Sequence, residues 1–131
     1  MSDDGILTIL LKASSSLGPK SVASTHIYWS FEAMNETFKD NSVKEVDLVI
    51  QALLIDNKGN EEYENVITYA YTRDDFNELN YDNFLNLASG QEWRILKESY
   101  AYFMHPAVFN KIDEDYQNSL SHGKSKIKPV K

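Results

Sequence analysis

Two strand-like runs meet at a turn in VKEVDLVIQALLIDNKGNEEYENVITYAYTR, residues 43–73, and no other stretch constrains the fold as strongly. Gly59 and its neighbouring asparagines tolerate the positive φ that hairpin turns require. Pairing Asn57 with Asn60 sets every later pair. One face then collects Val46/Tyr71, Leu48/Tyr69, Ile50/Ile67, Ala52/Asn65 and Leu54/Tyr63, which is almost wholly apolar. The other collects Asp47/Ala70, Val49/Thr68, Gln51/Val66, Leu53/Glu64 and Ile55/Glu62, which is mixed. A slip of one residue exchanges the faces, so the agreement of turn and pattern predicts an antiparallel hairpin, 46–55/63–72, whose first face builds the core.

The flanking segments supply what this sheet packs against. Ile6 to Leu11 is a compact run of branched residues between Gly5 and a serine cluster, and reads as a buried strand. In STHIYWSFEAMNETFKDN the residues Ile27, Phe31, Met34 and Phe38 form a helical stripe, with Ser24 or Thr25 as cap. A strand over His26 to Ala33 would instead align Ile27, Trp29, Phe31 and Ala33. The helical stripe is longer, which favours a helix over 22–39. Beyond Arg73 the period becomes helical: Phe76 and Leu79; Phe84, Leu85 and Leu87 before Gly90; then Trp93, Leu96, Tyr100, Phe103 and Met104. Pro106 interrupts that last helix and suits the first turn of another, carrying Phe109, Ile112, Tyr116 and Leu120 and closing at Gly123. The expected fold class is α+β: a small antiparallel sheet around the hairpin, an N-terminal helix and a helical C-terminal half. Residues 1–122 are read as one domain, and 123–131, which lack apolar periodicity, as a flexible basic tail.

Composition bounds the function. A chain of 131 residues with 16 aromatics can build a core unaided, and the absence of cysteine excludes a disulfide framework and a thiolate zinc site. That suits a reducing compartment, the cytoplasm. Asp3 and Asp4 stand where a secretory signal carries positive charge, and no apolar run approaches the ~20 residues of a membrane helix, so neither export nor membrane insertion is expected. Residues 1–122 hold all 20 acidic and nine of the 13 basic residues, a charge of −11, and four tail lysines return the total to −7. A body of that sign repels phosphate backbones, which argues against direct nucleic-acid binding.

ASSSLGPKS, residues 13–21, follows a strand like a phosphate loop, but Ala13 stands where the first glycine belongs, and Pro19 separates Gly18 from Lys20 and removes an N–H donor. It reads as a turn leading into a helix. None of the five glycines lies at dinucleotide-binding intervals. The turn DNKGNEE fails as a calcium loop, because Lys58 occupies a ligand position and Ile67 the place of the bidentate glutamate. His26, His105 and His122 share no metal-ligand spacing, and His105, at a helix end, suits a cap. No Gly-x-Ser-x-Gly elbow occurs. The sequence therefore points to no catalytic residues, no cofactor and no metal, and away from an enzyme.

What remains is surface chemistry. Asp74, Asp75, Glu78 and Asp82 follow the hairpin, and Glu61, Glu62 and Glu64 lie at its other end, among tyrosines suited to interfaces. The expectation is a non-enzymatic interaction module of the inhibitor, immunity, adaptor or accessory kind, docking another protein with a basic surface. The alternative is an apolar pocket between hairpin and helices that binds or transforms a small molecule, with Tyr69, Tyr71, Tyr100, Tyr102 and His105 as its polar groups. A nucleic-acid mimic is a lesser alternative, since the acidic clusters are small and interleaved with lysines.

Overall fold

The hairpin forms because eleven residues of one strand and twelve of the next are rich in β-branched and aromatic side chains with no proline between them, and their inner halves, Val46–Ile50 and Val66–Tyr71, are buried on both faces. In the computed structural model, which describes residues 4–13, 21–55 and 58–121, these are β2 (Glu45–Ile55) and β3 (Glu61–Thr72). The serine-rich segment 14–20, Asp56 and Asn57 of the turn, His122 and the 123–131 tail lie outside the described residues. The strands join β1 (Ile6–Lys12) and β4 (Ala101–Met104) in a four-stranded sheet of order β1-β2-β3-β4. This is an α+β fold with a mostly antiparallel sheet, and β1 is the exception, running parallel to β2.

The inner half of the hairpin keeps the expected register, with Val46 opposite Tyr71, Leu48 opposite Tyr69 and Ile50 opposite Ile67. The outer half does not. A β-bulge places Gln51 opposite Asn65, so Ala52 faces Glu64, Leu53 faces Tyr63 and Leu54 faces Glu62, in place of the predicted Ala52/Asn65 and Leu54/Tyr63. The extra residue is Val66. Val66 has no partner on β2, and both it and Ile67 are fully buried in the core.

Residues 22–37 are helical: a π-helical turn, Val22–His26, continues into α1 (Ile27–Thr37). Ile27, Phe31, Met34 and Phe38 are all buried, as the stripe predicts, whereas Trp29, which the strand alternative aligns with Ile27, is 53% exposed. The cap differs: the helix starts a turn before Ser24, and Ser21 at its start makes no side-chain capping bond. Phe31 is the hub of the aromatic core, its ring centroid 5.4 to 5.7 Å from those of Tyr71, Phe76, Tyr81 and Phe84.

Four further expectations are corrected. The Ile6–Leu11 run is an edge strand with alternating exposure, Leu10 being 58% exposed, because its aliphatic composition cannot say whether a second neighbour exists. After α2 (Arg73–Asn77), α3 (Tyr81–Ala88) and α4 (Trp93–Lys97), the predicted helix does not reach Met104. Ala101–Met104 pair instead with Ile67–Ala70, since β3's free edge offers hydrogen bonds that override a helical spacing. Pro106 then opens α5 (Pro106–Phe109), and a break at Asn110–Asp113 separates it from α6 (Glu114–Ser121). His105 caps a helix, but at the N-terminus of α5, where its Nδ1 accepts the Ala107 N–H at 3.0 Å.

Candidate functional site

The bulge and the short β4 together shape the far end of the hairpin. His105 N–H donates to the Val66 carbonyl at 2.7 Å, and the next residue, Pro106, has no N–H and a fixed φ, so β4 ends there. Beyond Val66 no described strand flanks β3 on that side, and residues 61–65 pair with β2 alone. The hairpin tip overhangs, and between it and the start of α5 lies a cleft of about 580 Å³ bordered by Leu54, Ile55, Glu61, Glu62, Glu64 and His105.

The bulge sets the chemistry of that cleft. By shifting phase at Val66 it sets Glu62 and Glu64 opposite Leu54 and Ala52, where the regular register places Tyr63 and Asn65. Tyr63 lies opposite Leu53, on the side where the Lys12 ammonium sits 4.1 Å from its ring centroid. All three glutamates are exposed, and Ile55 is 68% exposed beside them. Because Nδ1 of His105 accepts the Ala107 N–H, the neutral ring carries its proton on Nε2. Among the described residues no group of three or more histidines and carboxylates could hold a metal ion, and alternation along the strand spreads the glutamates rather than converging them. The arrangement is an electronegative strip edged with aliphatic surface.

The two acidic groups named from the sequence are not one surface. Asp74 and Asp75 occupy the first turn of α2, where Thr72 Oγ1 accepts the Asp75 N–H at 3.2 Å, and Asp82 the first turn of α3. Both positions suit a carboxylate at a helix N-terminus. They and Glu78 lie past the opposite end of β3 from Glu61, roughly 35 Å along a twelve-residue strand.

The tyrosines go elsewhere. Tyr69 and Tyr71 are buried in the core: the Tyr69 hydroxyl lies 2.6 Å from Ser30 Oγ, and that of Tyr71 donates to the Ile95 carbonyl. Tyr102 donates to the Leu120 carbonyl at 3.1 Å, while Tyr100 is 44% exposed. Burial holds the hydroxyls of Tyr69, Tyr71 and Tyr102 above the usual tyrosine pKa. The first three hydroxyls serve the packing between sheet and helices. His105, assigned with them from the sequence, joins the glutamates instead.

No protein family, curated protein or solved structure matches this chain. The site therefore rests on its own geometry. Leu54, Ile55 and Val66 were missed as site-forming residues; the one signal for them is Ala52–Ile55, four apolar residues in succession that cannot all face a core across a hairpin tip.

Proposed function

We propose that the protein is a non-enzymatic interaction module that docks a partner's basic surface against its hairpin tip. The observation that carries the reading is the overhang itself, where three exposed glutamates and the exposed Ile55 border a single cleft. An acidic strip steers a basic partner and sets its register, and the aliphatic edge supplies contact area that does not fade with salt. The engaged hydroxyls of Tyr69, Tyr71 and Tyr102 favour this reading over a small-molecule pocket. The roughly 25–35 Å of strand between the acidic groups, estimated from the strand rise, disfavours a continuous nucleic-acid mimic. No described helix is long and apolar enough to cross a membrane, and a cysteine-free chain suits work in the cytoplasm.

The test compares three baits in a pull-down from the source organism's lysate: wild type, E61K/E62K/E64K and D74K/D75K/E78K. A basic partner retained by the first and third and lost by the second is the expected outcome. A partner lost only with the substitutions at Asp74, Asp75 and Glu78 would move the docking surface to α2.

A further inference from the structure

The helical end of the molecule carries a site of opposite sign. Arg94 and Lys97 are one turn apart on α4, and both cations lean on Trp93, the guanidinium carbon 4.7 Å and the ammonium nitrogen 5.6 Å from its ring centroid. Arg94 Nε also donates to Gln91 Oε1 at 2.7 Å, which fixes its direction. Neither cation is held by a carboxylate among the described residues. With Leu79, Phe84 and Leu87 they line a cleft of about 270 Å³ in which Glu98 is the single acid, while Trp93 and Lys97 also border a neighbouring cleft that holds Asp113 and Asp115. Leu87 points outward at 53% exposure.

The cleft is small, open and half apolar. It suits one or two anchoring side chains of a longer segment, in the way a groove between helices receives an amphipathic peptide. We propose that the Trp93 groove docks an acidic segment of a partner protein, seating a leucine or phenylalanine against Leu87 and Trp93 and carboxylates on Arg94 and Lys97. Charge complementarity selects the occupant, since a basic segment meets two like charges there. A second copy is a poorer fit: two acidic bodies repel, and a groove-to-tip contact does not close on itself. This site is independent of the hairpin tip and of the partner proposed for it.

Trp29→Phe leaves Trp93 as the sole tryptophan, and its emission reports the groove directly. The probe is the synthetic peptide acetyl-Asp-Asp-Phe-Glu-Asp-Leu-Leu-Glu-amide, with a control in which every acid is lysine and a second in which Phe and Leu are serine. A saturable emission change is expected with the first peptide, weakened about tenfold or more by R94Q/K97Q, by R94E/K97E and by either control peptide. Far-UV circular dichroism confirms that each variant is folded, and the milder glutamine pair keeps the test open if charge reversal unfolds the helix. No saturable change at millimolar peptide, or equal binding by the glutamine variant, overturns the proposal. Equal binding of the serine control shows a nonspecific anion site and overturns it too. Self-association of the wild type that the peptide does not displace assigns the groove to a second copy, with the same consequence.

Discussion

Ser30→Ala should destabilise this protein through a tyrosine thirty-nine residues away. Ser30 Oγ donates to the Ile27 carbonyl at 2.7 Å and lies 2.6 Å from the Tyr69 hydroxyl, and its single proton is committed to the carbonyl. The Tyr69 hydroxyl must therefore donate to Ser30, giving a chain from Tyr69 through Ser30 to Ile27. Both side chains are within 2% of full burial, so no water can replace the serine without the core opening. Removing the acceptor strands a buried hydroxyl at about 1–3 kcal/mol, and alanine's better helix propensity returns about 0.5 kcal/mol. Tyr69→Phe removes the donor but leaves Ser30 bonded to Ile27, and should cost about 0.5–1.5 kcal/mol. In the double variant no polar group is stranded, so its loss should fall about 1 kcal/mol short of the sum of the singles. Urea unfolding with unchanged m-values measures all four corners of this cycle; for a chain of this size each kcal/mol also moves Tm by about 4 °C. Single losses that add to within about 0.3 kcal/mol would refute the hydrogen-bonded chain, since independent sites behave in that way.

Three further outcomes follow from the packing. Arg73 donates to the Val43, Phe38 and Asp40 carbonyls and lies over the Phe38 ring, so R73A should cost about 1.5–3 kcal/mol in urea unfolding, and R73K, which keeps the charge without the fork, should recover less than half. Gly5→Ala should lose about 1–2 kcal/mol or more, because Gly5 has φ +79° and a Cβ there meets the Ser42 carbonyl oxygen at 2.9 Å, whereas Gly59→Ala, strained in φ but open to solvent, should lose less. Alkali should unfold the protein: burial raises Tyr69, Tyr71 and Tyr116 above their ordinary pKa, and Tyr81 is pushed up to about 12. Their contribution is complete below the unfolded value of about 10 and is lost as pH rises toward the folded values, at up to about 1.4 kcal/mol per pH unit for each of the buried Tyr69, Tyr71 and Tyr116 and less for the more exposed Tyr81. Urea midpoints that stay level between pH ~9 and ~11.5 would contradict this burial.

Legibility varied with how far each signal reached. The inner hairpin was readable because every residue from Val46 to Ile50 and from Ile67 to Tyr71 must choose a face, and the large ones, Val46, Leu48, Ile50, Ile67, Tyr69 and Tyr71, chose together while Val49 and Ala70 took the mixed face. At the tip the core runs out: Leu53, Leu54, Tyr63 and Glu64 satisfy no strict alternation, so the sequence could not register the bulge at Val66. The 101–104 segment misled for a related reason, as Tyr100, Phe103 and Met104 fit a helical stripe until β3's edge claimed them. The acidic residues were legible as acidic and not as near or far. Asp74 follows Glu64 by ten positions, yet an extended strand lies between them.

The sequence alone determined the class of the fold, the hairpin and the helical stripe of Ile27, Phe31, Met34 and Phe38, because those depend on hydrophobic period and turn chemistry within a few residues of each other. Tertiary structure alone decided that Glu61, Glu62 and Glu64 meet His105, that Asp74 and Asp75 belong to a separate end, that Tyr69 and Tyr71 turn their hydroxyls inward, and that Arg94 and Lys97 gather on Trp93. Those juxtapositions depend on where β4 stops and where β3 bulges, and both are settled by which free strand edges and buried volumes remain once the rest of the chain has packed.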